Sequence, residues 1–466
     1  MRRRAPRIRW MPAEQLILIA LFVILMLFGG ASRADEPVQV IVRMSAILAL
    51  MYAIFSRPAK LDRATGPVMV GLAAAAFLVA VQLIPLPFSI WSSLSGRELY
   101  AQQGSLIGMS KIWRPLTLSP DQTWNALLSL IVPISVVALL TKMHYRQRAE
   151  FLSVVLAVVG FSIIIVLARL MSGSGWIALR QSTDGGGSGI FANRNHQALL
   201  FVIGLPMLAV WVTGHKLSRM TPWLRWGAAA TGALLLIILI PATGSRTGLL
   251  LGAAALVMAL TFLSDTAKRL LQKVKRRRTR KLLVAGMLFG FIGLIGLTST
   301  LNRAESVQRL MAMDIAGDTR ARLFPRVVEM TSAFFPAGAG FGTFNLAFRR
   351  FEGLNDLKLT YFNQAHDDFV QIVLEGGLLG TLILAVALGW LAFQMVIAWR
   401  SPPNRTATRL ARLASVLMIL MLGASVVDYP LRTPLMAALF ALFAVWLHEP
   451  RVRQGPENGK DAALTR

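Results

Sequence analysis

The chain has 466 residues, 55% of them hydrophobic, with a mean hydropathy of +0.59, which is more apolar than a soluble domain tolerates. Its formal charge is +27, but the lysines and arginines cluster in short segments between apolar runs, a pattern that orients membrane spans and argues against nucleic acid as a partner. Cysteine is absent, which excludes disulfides, thiolate metal sites and a cysteine nucleophile.

The predicted elements fill almost the whole length. Arg2, Arg3 and Arg4 precede an apolar run from Leu16 to Phe28. As a signal peptide this run would end near Ala31-Ser32-Arg33-Ala34, but another span follows directly, so it reads as an uncleaved first helix. Spans are expected near 13–30, 38–55, 66–91, 122–140, 150–171, 197–213, 223–243, 247–263, 282–300, 369–398, 411–427 and 432–448. Each is long enough to cross a hydrocarbon core of about 30 Å. The expected fold class is therefore all-α: a polytopic membrane protein of about twelve helices. Residues 1–300 hold helices one to nine, 301–368 a large loop, 369–448 helices ten to twelve, and 449–466 a tail.

With the N-terminus inside, every inside segment is basic. Arg57, Lys60 and Arg63 lie in one, Lys142, Arg146 and Arg148 in another, and residues 264–281 carry nine lysines and arginines. The inverted topology would place that run outside, so both termini are read as cytoplasmic. The outside stretch 301–368 is different, with eight basic and eight acidic side chains. A connection of that length is usually functional or disordered, and its Phe, Leu and Met content argues for order. Within it, 318–335 reads as a helix begun by Asp318, bent or restarted at Pro325 and stopped by Pro336. Gly338, Gly340 and Gly342 then make a turn.

Several cations fall at the outer face despite the positive-inside rule: Arg43, Arg169, Arg194, Arg246 in the turn Gly244-Ser245-Arg246-Thr247-Gly248, and Arg320, Arg322 and Arg326 on the loop helix. A guanidinium in this layer needs an anion, and lipid phosphates or diphosphates match its fork. Alternatively it snorkels to headgroups. His366 stands where the long loop enters the tenth span. There a neutral imidazole either caps a helix or takes a proton from an attacking hydroxyl. His196 is a weaker candidate of the same kind. Asp367 and Asp368 are adjacent on a helix start and do not face one another, so they suit capping or substrate contacts better than a shared metal. Glu375 lies about two turns further in, where an acid is functional or paired, with Arg43 a candidate partner. Gly376 and Gly380 form a GxxxG that suits close helix packing.

These segments resemble a known family. His366-Asp367, nine residues, then Gly377-Leu378-Leu379-Gly380-Thr381 is similar to the signature of the O-antigen ligases. The sequence departs at Asp367, an acid where the family has a neutral hydrogen-bonding side chain. Phe335–Gly342, Asp318-Thr319-Arg320, Gly244–Leu249, Trp113–Pro120 and Phe191–His196 also resemble family segments, in order over about 110–435. What the resemblance to the O-antigen ligase and polymerase superfamily implies is a GT-C-like membrane glycosyltransferase of the inner membrane. It would take a glycan from undecaprenyl diphosphate on the periplasmic face and pass it to lipid A–core (a ligase) or to another lipid-linked repeat (a polymerase). The catalytic set would be His366, Arg320 and Arg246, with Arg194, Arg43, Arg322, Asp367 and Asp368 contacting substrate. No metal and no cofactor is implied, and membrane lipids are the remaining partners. A rival class, a lipid-linked oligosaccharide transporter, fits the span count. It would normally show two related halves and a midplane site, whereas here the halves are unlike and the polar groups gather at the outer face.

Overall fold

The computed structural model describes residues 11–33, 36–56, 61–110, 112–172, 189–214, 220–273, 319–356, 362–402 and 406–449. The regular structure among these residues is helical apart from one two-stranded ribbon, in which β1 (Pro85–Leu86) pairs antiparallel with β2 (Arg114–Pro115). The helices run α1 (Ala13–Phe28), α2 (Val38–Phe55), α3 (Gly66–Val81), the short α4 (Phe88–Ser92) and α5 (Glu98–Leu106), then α6 (Pro120–Ser129) and α7 (Ile131–Leu140). Next come α8 (Tyr145–Ser172), α9 (Arg194–Thr213), α10 (Pro222–Ala242) and α11 (Arg246–Lys273). The loop helices α12 (Thr319–Phe334) and α13 (Phe344–Phe348) follow, and α14 (Asp368–Arg400), α15 (Thr406–Ser425) and α16 (Pro434–His448) close the order. Among the described residues eight helical spans are long and apolar enough to cross a membrane, with α6 and α7 counted as one, and α1, α3 and α16 are apolar but shorter. The span expected at 282–300 and the loop residues 301–318 and 357–361 lie outside the described residues.

Most expected spans coincide with helices, with one correction. The third ends at Val81, not at 91. Gln82 leaves the helix to serve the loop: its Nε2 donates to the Glu375 carbonyl at 2.9 Å and its Oε1 accepts from the Phe341 amide at 2.8 Å. Pro85 and Pro87 then prevent the helix from resuming. The loop helix expected over 318–335 is present as α12 and runs through Pro325.

The middle of the bundle is α9, almost wholly buried and apolar on all sides, as a helix surrounded by others must be. It packs against α8, α10, α11 and α15. Gly248 lets α11 approach it, since a Cβ there would lie 2.4 Å from the Ala198 Cβ. The loop has a core of its own, built from Leu323, Val327, Met330 and Phe334 of α12 with Phe344, Phe348 and Leu374.

That core sits on a break in α14. Gly377 takes φ 58° and ψ −148°, interrupting the helix inside the predicted signature. The carbonyls of Leu374 and Glu375 accept instead from the amides of Ala339 (2.9 Å) and Gly340 (3.0 Å), and the Leu378 amide donates to the Pro336 carbonyl at 2.9 Å. Non-helical backbone near the membrane is tolerated only where protein re-satisfies its polar groups, and the Pro336–Gly342 turn does this. A Cβ on Gly377 would lie 2.2 Å from the Pro336 oxygen, so only glycine fits.

At the opposite end of the bundle Arg148 is buried. It pairs with Asp62 at 2.6 Å and with Glu449 at 2.8 Å, tying the segment before α3, the first turn of α8 and the end of α16 together. This cation, read from sequence as part of a basic loop, is thus also a structural tie. Reporter fusions after Arg63, Arg148, Lys275 and Arg405 are expected to read cytoplasmic and fusions within 92–121 or 319–356 periplasmic. A cytoplasmic reading from the 319–356 loop would overturn this orientation.

Candidate functional site

Three elements meet at the loop end of the bundle. The first is the turn after α15, where Val426, Val427, Asp428 and Tyr429 lead to a 3-10 turn, Pro430–Arg432. Asp428 is 2% exposed, and a carboxylate so buried must be held by donors. Its donors come from all sides: Asn195 Nδ2 at 2.5 Å, Asn193 Nδ2 at 3.2 Å and the Tyr429 amide at 3.0 Å. His366 Nδ1 lies 3.4 Å away, His196 Nε2 3.7 Å and Arg320 Nη1 3.9 Å.

The second element is the start of α9. Asn193 caps the helix, its Oδ1 accepting from the Asn195 amide at 2.8 Å, while its amide group reaches Asp428. Arg194 opens the helix between the two asparagines, half-buried. The third is the segment before α14. Asp367 caps α14 by accepting from the Phe369 amide at 2.9 Å and the Val370 amide at 3.0 Å. His366 precedes it at φ 55°, a left-handed conformation rare for a residue with a Cβ and typical of functional positions. Gln371 braces it by accepting the Ala365 amide at 3.0 Å. The imidazole is held between Phe362 (5.2 Å) and Tyr429 (4.9 Å).

Burial pushes the His366 imidazole below its usual range, and the Arg320 charge acts the same way, while Asp428 works against both. The ring is therefore neutral at pH 7. Nδ1 faces the carboxylate at 3.4 Å without a formed hydrogen bond, and a proton placed there would leave the Nε2 lone pair for a substrate. Burial works to raise the Asp428 carboxyl, but the close ring nitrogens of His196 and His366 and the Arg320 charge outweigh it and hold it well below the usual carboxylate range. Such a pair can act as a general base with a carboxylate that orients it.

Arg320, the second residue of α12, also donates to the Val427 carbonyl at 3.1 Å. Arg246 opens α11. The residues after it, Thr247 and Gly248, line a small recess with Asn195, His196 and Asp428. The structure thus gathers His366, Arg320, Arg194 and the start of α11 around one carboxylate. The other expected residues lie apart. Arg322 and Arg326 turn to Asp356, at 3.2 and 3.4 Å, and hold the loop. Arg43 donates to Asn125 Oδ1. Glu375 does not take Arg43 as its partner: it is fully buried and paired with Arg432 Nη2 at 3.3 Å, while Arg432 Nε lies 3.3 Å from Asp368. Gln371 Nε2 and the Phe344 amide also donate to Glu375, at 2.9 and 3.3 Å. Arg432→Met is expected to strand two buried carboxylates beneath the site. Removing one partner of such a pair costs about 3–5 kcal/mol, and a lowered Tm of the detergent-purified protein would show it.

Sequence reasoning missed Asp428 and Arg432. The available signal was an acid between two closely spaced spans, in Val427-Asp428-Tyr429-Pro430. Among the described residues no group of three or more His, Asp or Glu is placed to hold a metal.

Residues 231–385 match the family described as O-Antigen ligase. No curated protein matches the chain. The matched stretch contains Arg246, Arg320, His366 and the break at Gly377, while Asn193, His196, Asp428 and Arg432 lie outside it. On that match, residues 231–385, a third of the chain, are similar to the O-antigen ligase family.

Proposed function

We propose that the protein is a glycosyltransferase of the inner membrane, with a GT-C-like architecture, that moves a glycan from undecaprenyl diphosphate to an acceptor such as lipid A–core on the periplasmic face. The observation that supports this most is the His366–Asp428 contact with Arg320 beside it, at the loop end where α9, α11, α14 and α15 converge. In the proposed reaction His366 Nε2 takes the proton of the acceptor hydroxyl. The acceptor oxygen bonds to the anomeric carbon as the carbon–oxygen bond to the diphosphate breaks. The electron pair leaves on the diphosphate, where Arg320 and Arg246 meet the developing charge. Asp428 keeps the imidazole in the productive tautomer and orientation.

The departure at Asp367 does not weigh against a ligase. Its carboxylate is engaged in capping α14, a role that asparagine and serine fill equally well. The residue therefore keeps the local structure and does not reach toward Asp428. The polymerase reading of the same site differs only in its acceptor. A deletion strain separates the two. For a ligase, long chains are expected to remain on undecaprenyl diphosphate beside an uncapped lipid A–core. Attached single repeats with no long chains would replace the ligase by the polymerase, and unchanged glycolipids would remove both.

A further inference from the structure

The hairpin between α3 and α6 carries an exposed apolar face that neither the bundle nor the site uses. Leu106 is 86% exposed, Ile107 70% and Trp113 62%, and Ile90 and Ile112 are about half exposed. Proteins do not leave such a face in water without a reason. Charge is sparse in this stretch for two reasons. From Leu99 to Trp113 the only charged residue is Lys111. The two arginines of the hairpin turn inward. Arg97 is fully buried between Trp91 and Phe334, at 5.6 and 5.4 Å, and Arg114 stacks on Phe88 and Trp91, at 5.6 and 4.9 Å.

The face is also continuous with the lipid-facing belt. It begins where α3 ends, above the exposed Phe77, and returns to the bundle at α6, whose first turns expose Trp124. Tryptophans beside uncharged, apolar side chains at the ends of spans are the composition of a membrane interface.

From this placement we propose that the 84–113 hairpin is an interfacial anchor, with the lipid surface of the leaflet on the loop face as its partner. Leu106, Ile107 and Ile112 enter the boundary between headgroups and acyl chains, and Trp113 lies at headgroup level. The inference does not depend on the proposed activity. Its consequence for the fold is mechanical. Arg97 Nη2 donates to the Leu116 carbonyl at 2.7 Å and to the Gly338 carbonyl at 3.0 Å, and the Leu118 amide donates to the Ala339 carbonyl at 2.9 Å. The hairpin thus holds the turn that docks on the break in α14, so its depth in the leaflet sets the height of the loop above the membrane.

Because the chain has no cysteine, a single thiol can be introduced without background. Full-length Leu106→Cys and Ile112→Cys, each spin-labelled and reconstituted into phosphatidylethanolamine–phosphatidylglycerol vesicles, report depth from collision with oxygen against a water-soluble nickel chelate. Both labels are expected to favour oxygen severalfold over the chelate, at depths of about 5–10 Å below the headgroup boundary. Using two sites keeps the test open if one variant fails to fold. Chelate accessibility like that of a free label in water would overturn the proposal. So would protection from both reagents, which would mean that protein, a second copy or another chain, covers the face.

Discussion

Replacing His366 by alanine is expected to lower the rate of glycan transfer by purified protein about 10²–10⁴-fold, with donor binding largely kept. The separation follows from the site. His366 is aimed by Asp428 at 3.4 Å and clamped between two aromatic rings, but the cations that would hold a diphosphate are other residues. The pH dependence adds a second readout. A general base must be neutral to act, and burial places this imidazole below its usual pKa. The acid limb of kcat/KM is therefore expected below pH 6.5, the ordinary histidine value. Asp428→Asn removes the charge that works to raise that pKa, so the limb should move further down while the maximal rate falls through lost orientation. Near-normal turnover in His366→Ala would remove the residue from the chemistry. A limb that moves to higher pH in Asp428→Asn would contradict the proposed coupling of the two residues.

How much of this was legible beforehand depended on the kind of signal. The spans were legible because each apolar run is long and bounded by charge, and a run of that length has few alternatives to a helix. Where a run continued past the helix the reading failed: Leu83, Ile84 and Leu86 extend the third apolar stretch, yet Gln82 and the prolines beside it turn the chain into the ribbon. Hydropathy assigns the arginines a depth along the spans but carries no azimuth. Arg320 faces Asp428, whereas Arg322, two residues on, faces Asp356, and nothing in the local sequence separates them. The same limit explains Glu375. Its burial was readable, but its partner Arg432 lies beyond the next span, α15, a pairing that only packing decides. Asp428 escaped because its role arises from convergence. Asn193, Asn195, His196, Arg320 and His366 reach it from three separate segments, and an isolated acid in a short turn looks like an ordinary turn residue. Gly376 and Gly380 were read as helix packing, and Gly376 does let Phe341 approach closely. The break at the neighbouring Gly377 was not foreseen, because it depends on a loop turn that arrives from outside the helix to replace the lost hydrogen bonds.

Arg320→Lys and Arg246→Lys, each in the otherwise intact protein, are expected to lose about 10²–10³-fold in transfer rate, the range seen when one donor is removed from a site of developing negative charge. Lysine keeps the charge but not the planar fork that can hold one diphosphate oxygen while bonding elsewhere. At Arg320 that second bond is visible: Nη1 donates to the Val427 carbonyl at 3.1 Å and lies 3.9 Å from Asp428. A point charge at this position cannot brace the turn and face the substrate together. Arg320→Lys should therefore also disturb the alignment of Asp428 and His366, and the change in its pH profile would reveal this. Arg246 stands at the start of α11 beside the recess lined by Thr247, Gly248 and Asp428. Its replacement is expected to leave the pH profile unchanged and to lower the rate alone. Arginines that merely snorkelled to headgroups would give a different pattern, because lysine snorkels as well as arginine does, and both variants would then turn over normally. Arg322→Lys supplies the comparison within the same helix. Its guanidinium serves Asp356 at 3.2 Å, away from Asp428, and lysine keeps that charge, so its transfer rate should remain close to that of the unmodified protein.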